Sequence, residues 1–339
     1  MNSAVRAIPC LALLLFSSQT EAGLVERRAV SFPQSRVVLA GPGRVTGGGT
    51  GQFLVYGQRI SSDGTRLDAE PVIGAEGFAV GWPDGWLTID RSGEAIEIRH
   101  LGETGGPERM KSIASRLQFV DAASNGDRLA ILEHGCEQYT CTLWITVTDG
   151  GDLLRREPIT PGVTSSAATI APFLDGFLVA ASVDTDATAS ASAIELLRLG
   201  PDGAPGPRRS FAQGEHVYPR LSLKSDGDVA LLTIVDSFES SARVVDAALT
   251  TGPAHQLDGG PGIDVSALAF TRPGGFLVAY NLDSYAPRVS KHRAAVVDRA
   301  GRMLGDAEGD PIATGDRAGS RYLVMRPWGD AAIAVGDPR

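Results

Sequence analysis

The chain has 339 residues, 40 Asp and Glu against 31 Lys and Arg, and a net charge of −9. Nucleic acid and anionic membranes are bound by clustered Lys and Arg that release counterions, so this acidic balance argues against both as partners. The 41 glycines and 20 prolines fall at turn positions, helical periodicity is absent, and the length is ample for a sizeable core.

Arg6 is followed by the apolar run Ala7 to Phe16 and by a polar stretch ending in the small residue Ala22. Positive charge, apolar centre and small residue, in that order, make a secretory signal peptide, with cleavage expected after Ala22. The run is too short for a membrane-spanning helix, which takes about 20 residues, and no comparable run occurs later. Cys10 stands at the start of the apolar centre instead of just after it, so lipidation is not expected. Residues 1–22 therefore read as a signal peptide, 23–29 as a flexible polar lead-in and 30–339 as a single folded domain, secreted or periplasmic. Cleavage removes Arg6 and Glu21, one charge of each sign, so 339 less 22 leaves 317 residues with the net charge unchanged.

Val30 to Phe32 and Arg36 to Ala40 read as two short strands without a hairpin partner of their own. After them one short stretch recurs seven times, most clearly as Leu174-Asp175-Gly176-Phe177-Leu178-Val179. A turn dipeptide directly before an apolar, partly β-branched run marks a tight hairpin leading into a buried strand. The anchor glycines stand at 51, 85, 126, 176, 227, 275 and 329, spaced by 34, 41, 50, 51, 48 and 54. Four-stranded propeller blades run at about 40–50 residues, and the cleaved chain fits one ring of seven at about 45 each.

The fifth unit displays the pattern in full: Arg220 to Lys224, a turn, Val229 to Val235, a loop, Ser241 to Leu249, a second turn, then Ala254 to Leu257. The first unit is shortened between its two turns, and six blades is the alternative if it is not a complete one. At the C-terminus Arg321 to Met325 and Ala331 to Val335 supply two strands of a seventh unit. The N-terminal pair is expected to complete that blade, covering edges that would otherwise template aggregation.

Cys136 and Cys141 flank a four-residue loop between the strand-like Arg128 to Leu132 and Thr142 to Val147. Cysteines so placed in a hairpin lie about 4.5–5.5 Å apart at Cα, inside the disulfide window, and are expected to be bonded. A loop this small adds about 2 kcal/mol in the chain-entropy model. Without a Cys-x-x-Cys spacing or a second pair nearby, a redox or metal site is the weaker reading.

The alternation of Asp175-Gly176-Phe177-Leu178-Val179 with second turns such as Ser62-Asp63-Gly64-Thr65-Arg66-Leu67-Asp68 resembles the repeats of secreted bacterial β-propeller proteins. The resemblance covers nearly the whole cleaved chain and implies an all-β propeller of four-stranded antiparallel blades, but its motifs are structural and carry no active-site residues. Named propeller families are not matched. There is no Trp-Asp blade ending of the WD40 kind, and the glycines precede the apolar strand where in kelch repeats a Gly pair follows it. The sialidase Asp-box is approached at Ser61-Ser62-Asp63, but Thr65 stands in the place of its glycine.

His100, His134, His216, His255 and His292 show no metal-binding spacing. Neither a Gly-x-Ser-x-Gly elbow nor a phosphate-binding glycine loop is present. One pattern remains. In a meander the loops between second and third strands emerge on one face, and Glu133, Asp184, Asp236 and Asp283 lie seven to nine residues after their anchor glycines. Tyr139, Phe238 and Tyr285 accompany them, with His216 and Tyr218 entering the fifth unit. Acids beside aromatic rings suit a sugar, a cationic peptide or a metal ion, while Asp also caps turns in water without further purpose. Trp82, Trp86, Trp144 and Trp328 are expected in the core between blades. The expected function is a secreted, non-enzymatic binding or scaffold propeller, monomeric, presenting one loop face to a protein or glycan. The alternative is an extracellular polysaccharide hydrolase or lyase using Asp184, Asp236 and Asp283. No cofactor is expected, with a bound Ca2+ left open.

Overall fold

The computed structural model describes residues 10–17, 25–33, 45–47, 52–55, 57–61, 65, 67–70, 72, 78–137, 140–161, 163–184, 192–214, 219–235, 240–257, 263–272, 274–285, 288–304, 310–311, 323–328 and 331–336. Among these residues all regular structure is β, and no helix is long and apolar enough to cross a membrane.

The first two strands are β1 (Cys10–Ser17) and β2 (Val25–Pro33). A first sheet of three strands follows, β3 (Val45–Gly47), β4 (Phe53–Val55) and β5 (Gln58–Ile60). The second sheet comprises β6 (Phe78–Trp82), β7 (Gly85–Ser92), β8 (Ala95–Gly102) and β9 (Glu108–Ala114). The third comprises β10 (Gln118–Asn125), β11 (Arg128–Glu137), β12 (Thr140–Asp149) and β13 (Asp152–Pro161). The fourth comprises β14 (Val163–Phe173), β15 (Gly176–Asp184), β16 (Ser192–Leu199) and β17 (Pro205–Gly214). The fifth has β18 (Arg220–Asp226), β19 (Val229–Val235), β20 (Ser241–Val245) and β21 (His255–Gln256). In the sixth, β22 (Ile263–Arg272), β23 (Gly275–Tyr285) and β24 (Arg288–Asp298) are followed by two short pieces that both pair with β24, β25 (Met303–Leu304) and β26 (Asp310–Pro311). The last strands, β27 (Leu323–Trp328) and β28 (Ala331–Gly336), join the first two in a sheet ordered β2-β1-β28-β27. All pairings are antiparallel, and within the second to sixth sheets the strands lie in sequence order.

The N-terminal strands thus meet the C-terminal ones, but they are not the strands expected. β1, drawn from the apolar run read as a signal-peptide centre, pairs with β28, with Leu14 opposite Ala334. Val30 to Phe32 lies within β2 as the outer neighbour of β1, and Arg36 to Ala40 falls outside the described residues. Residues 25–29, expected as flexible lead-in, are also strand, because β1 offers their backbone a ladder.

Three of the anchor glycines, Gly85, Gly176 and Gly275, are explained by the ladder geometry, whereas Gly126 and Gly227 meet open space and take positive φ. A Cβ on Gly176 would lie 2.2 Å from the Leu199 carbonyl oxygen on the third strand of its sheet, and one on Gly85 would lie 2.2 Å from that of Leu101. Only a residue without a side chain lets the second strand begin this close to the third.

The core sits between sheets. Val80, Leu87, Ile89 and Ile98 of the second sheet pack with Ala122, Leu129 and Ile131 of the third. Leu132, Leu143, Ile145 and Val147 of the third pack with Phe177, Val179 and Leu197 of the fourth. The same arrangement joins the fourth to the fifth and the fifth to the sixth. Burying a side chain such as Phe177, which is fully enclosed, stabilises by about 1.5–3 kcal/mol. The first strands of successive sheets also touch, β3 with β6, then β10, β14, β18, β22 and β27 in turn, and β27 touches β3.

Candidate functional site

Cys136 stands opposite Cys141 across the β11–β12 ladder, and the two are bonded, with Cα atoms 4.0 Å apart. Both strands run further than expected, so that Glu137 pairs with Thr140 beyond the bond. The expected pairing is correct.

The nine side chains expected on an acidic rim divide differently. Tyr139, His216, Tyr218, Asp236 and Phe238 fall outside the described residues. Asp184 and Tyr285 end β15 and β23, opposite Ser192 and Arg288, and Asp283 pairs with Asp264 and Ser290, so these three are strand and not loop residues. All three stand at the end of their sheet where the second strand turns toward the third. Glu133 is the clear correction. It lies within β11, between Phe119 and Trp144, and is fully buried.

Its carboxylate accepts hydrogen bonds from Ser115 Oγ, from Thr146 Oγ1 at 3.1 Å and from Arg156 Nη2 at 3.3 Å. Arg156 donates in addition to Ser115 Oγ at 2.7 Å and to the Ala114 carbonyl, and Ser115 Oγ accepts from the Leu117 N–H at 3.2 Å. A buried carboxylate is tolerated only with such a full set of donors. The network fastens the connection between β9 and β10 onto the third sheet.

Directly above that connection a cavity of about 600 Å³ opens at the same end of the third sheet. Its wall comprises Arg116 and Leu117 from the connection, Gln118 from β10, His134, Gly135 and Cys136 from β11, and Thr142 and Trp144 from β12. The register sets them at one end of the sheet, with Gln118 opposite His134 on one face and with Gly135 opposite Thr142 and Trp144 opposite Glu133 on the other. His134 Nε2 is 3.0 Å from Gln118 Oε1, so the ring donates to the amide oxygen. Burial holds the His134 pKa below the ordinary 6.5, which keeps the imidazole neutral near pH 7. Arg116 is exposed and pairs with Glu94 at 3.2 Å. A Cβ on Gly135 would come within 2.6 Å of Leu117 Cδ2, so the glycine leaves room for this wall.

Trp144 was expected in the core, and instead is half-buried in the cavity wall, whereas Trp86 is fully buried as expected. The strand alternation carries the signal: Leu143, Ile145 and Val147 point to the fourth sheet, leaving Thr142 and Trp144 on the other face. Gln118, Arg116 and His134 have no such local mark.

A second buried acid also escaped the sequence reading. Asp121 on β10 accepts from Thr169 Oγ1 at 2.8 Å and from the Ile170 N–H at 3.1 Å, tying β10 to β14. Burial pushes its pKa up from the ordinary 3.8, against the Thr169 and Ile170 hydrogen bonds and the charge of Lys224. Among the described residues no group of three or more His, Cys, Asp or Glu is placed to hold a metal ion.

No family model matches the sequence, and no curated protein matches it. Solved structures are similar in fold. Hydrazine synthase of Kuenenia stuttgartiensis is 11% identical over 79% of this chain and 80% of its own, with a TM-score of 0.50. TolB from Acinetobacter baumannii is 13% identical over 97% of this chain, which spans 63% of TolB, at a TM-score of 0.45. The Dos1 propeller is 10% identical over 76% of each chain, at a TM-score of 0.43. The structural neighbours include β-propeller proteins, and at these identities the likeness concerns the fold alone.

Proposed function

We propose that the chain is an exported, non-enzymatic binding propeller of seven blades, which holds a protein or glycan on the face where second strands turn into third strands. The observation that carries this reading is the cavity on the third sheet, a space of about 600 Å³ whose wall takes Arg116, Gln118, His134, Thr142 and Trp144. Ligand sites commonly enclose about 300–1,000 Å³ with a few polar groups that fix orientation.

The seven-blade ring is supported by the sequence of contacts among first strands, which returns from β27 to β3. Three strands in the first sheet suit its shortened unit. Export is supported by the disulfide, which persists in oxidising compartments, together with the charged and apolar order of residues 1–22. Cleavage after Ala22 removes β1, and β2 is then the strand left to cover β28. Mass spectrometry of the exported protein should find Gly23 as its first residue; a retained Met1 would make β1 a permanent part of the last blade.

The binding reading is tested by a thermal-shift screen against a glycan array, divalent cations and candidate protein partners. A ligand at about 100 times its Kd adds about 2.7 kcal/mol to stability and raises the Tm accordingly. A shift lost in Gln118→Ala places the ligand in the cavity, and one lost in Asp236→Ala or Asp283→Ala places it on the proposed acidic rim. Depolymerisation of a glycan during the screen, abolished by Asn at Asp184, Asp236 or Asp283, would replace binding by hydrolysis or lysis.

A further inference from the structure

We infer that the ligand of the cavity beside Cys136–Cys141 is an acidic oligosaccharide whose uronate carboxylate is held by the free fork of Arg116, an inference that rests on the binding role just proposed and names the chemistry of its partner. The groups concerned lie on one side of the third sheet, the side turned to the second. Thr142 and Trp144 point away from the fourth sheet, against which Leu143 and Ile145 pack. Leu117 lies over Gly135, where an added Cβ would come within 2.6 Å of Leu117 Cδ2 and 4.0 Å of Trp144 Nε1. Arg116 reaches to the same side, because it pairs with Glu94 in the turn between β7 and β8 of the second sheet.

That pairing uses only one edge of the guanidinium. Nε and Nη2 of Arg116 face the two Glu94 carboxylate oxygens at 3.2 and 3.3 Å. A guanidinium has five N–H donors, so three remain, and the Nη1–Nη2 edge is a second planar fork that matches a carboxylate. The side chains are 82% exposed for Arg116 and 72% for Glu94, so water screens their attraction and the cation keeps its pull on a second anion. Arg91 adds to that pull. It is exposed and donates to the carbonyls of Arg116, at 3.3 Å, and Gly93, with no carboxylate partner among the described residues. The connection is already fastened by Arg91 on the Arg116 carbonyl and by the Glu133 network on Ser115, so the fork is presented without ordering a loop. Guanidinium and indole N–H groups only donate, which favours a ligand rich in acceptors. A peptide brings one N–H for each carbonyl and finds only the Thr142 hydroxyl to accept it among these side chains. A uronate offers carboxylate, ring and glycosidic oxygens, together with hydroxyls that rotate to accept.

Isothermal titration calorimetry of the full chain tests this with galacto-, gluco- and manno-configured uronate hexamers, the same hexamers with their carboxyls reduced, a hexaglutamate peptide and a chitosan oligomer. A uronate hexamer is expected to bind at least about tenfold tighter than its carboxyl-reduced form, since hydrogen bonds to charged groups are the stronger kind. Arg116→Gln should lose that advantage, and Arg116→Lys, which keeps the charge without the fork, should not restore it. Trp144→Phe removes the indole N–H and should weaken binding severalfold. Arg116 is exposed, so its variants keep the fold, which an unchanged circular dichroism melt verifies. Uronates that bind no tighter than their reduced forms, or equally well in Arg116→Gln, overturn the assignment. Glu137 stands two residues beyond Gly135 on the same strand, opposite Thr140. Chitosan bound and lost in Glu137→Gln, or hexaglutamate bound in preference to every uronate, overturns the assignment and leaves the cavity as a binding site. The same holds for a ligand lost in Gln118→Ala but kept in Arg116→Gln, which then sits on the other face of the sheet. Silence of every probe, protein partners included, removes the assignment and the binding role together.

Discussion

Replacing Glu133 by Ala should be among the most damaging single changes outside the apolar core. The side chain is fully buried, and truncation strands the donors aimed at it. Thr146 is itself fully enclosed and loses its acceptor, and Ser115, 5% exposed, loses the group to which it donates. Each buried donor left unpaired costs about 1–3 kcal/mol. Arg156 contributes less, because its side chain is 22% exposed and it keeps Ser115 Oγ and the Ala114 carbonyl. The expected loss is about 3–5 kcal/mol, as for breaking one partner out of a buried ionic network. Glu133→Gln keeps the shape and one acceptor oxygen but turns a second donor toward existing donors, so about 1–2 kcal/mol is expected. Urea unfolding followed by circular dichroism and fluorescence gives both values where the two transitions coincide. Losses below about 1 kcal/mol for Glu133→Ala would refute the argument that this network clamps the β9–β10 connection onto the third sheet.

Other consequences are equally concrete. Asp121 has a folded pKa raised by burial, so the folded state holds its proton more tightly than the unfolded chain, and the group's contribution to stability is full below the ordinary 3.8 and declines as pH rises through the higher folded value. The stability of Asp121→Asn relative to wild type should therefore grow between acid and neutral pH; a difference that does not vary with pH would contradict this. Gly176→Ala places a Cβ 2.2 Å from the Leu199 carbonyl oxygen, which cannot swing aside, and should cost about 3 kcal/mol or more. Gly126→Ala meets open space and bears only the strain of a φ of 64°, about 1–2 kcal/mol, so equal effects in the two variants would sink the close-approach argument. Substituting Ser for both Cys136 and Cys141 should lower stability by about 2 kcal/mol, read from the urea midpoint, with no further change on adding dithiothreitol.

The all-β character, the repeat of turn-led strands and the disulfide were legible in the sequence because each rests on residues close together in the chain. Asp175-Gly176 turns the chain within its own hairpin, and Cys136 and Cys141 are five residues apart on adjoining strands. The site is built otherwise. Glu133 meets Ser115 from 18 residues earlier and Arg156 from 23 later, and the cavity draws Gln118, His134 and Trp144 from three strands. Counting from the anchor glycine set Glu133 beside Asp184 and Asp283, but the count measures distance along a strand and says nothing of its length. β11 runs on to Glu137, so the residue expected in a loop is inside the sheet. Alternation does not separate wet from dry here either, since a sheet packed between two others buries both faces, as Leu143 and Thr146 on opposite faces of β12 illustrate. The pairing of β1 with β28 is likewise beyond local pattern, because the apolar run that suits export suits a strand equally, and the β28 edge that it meets is brought round only by the whole fold.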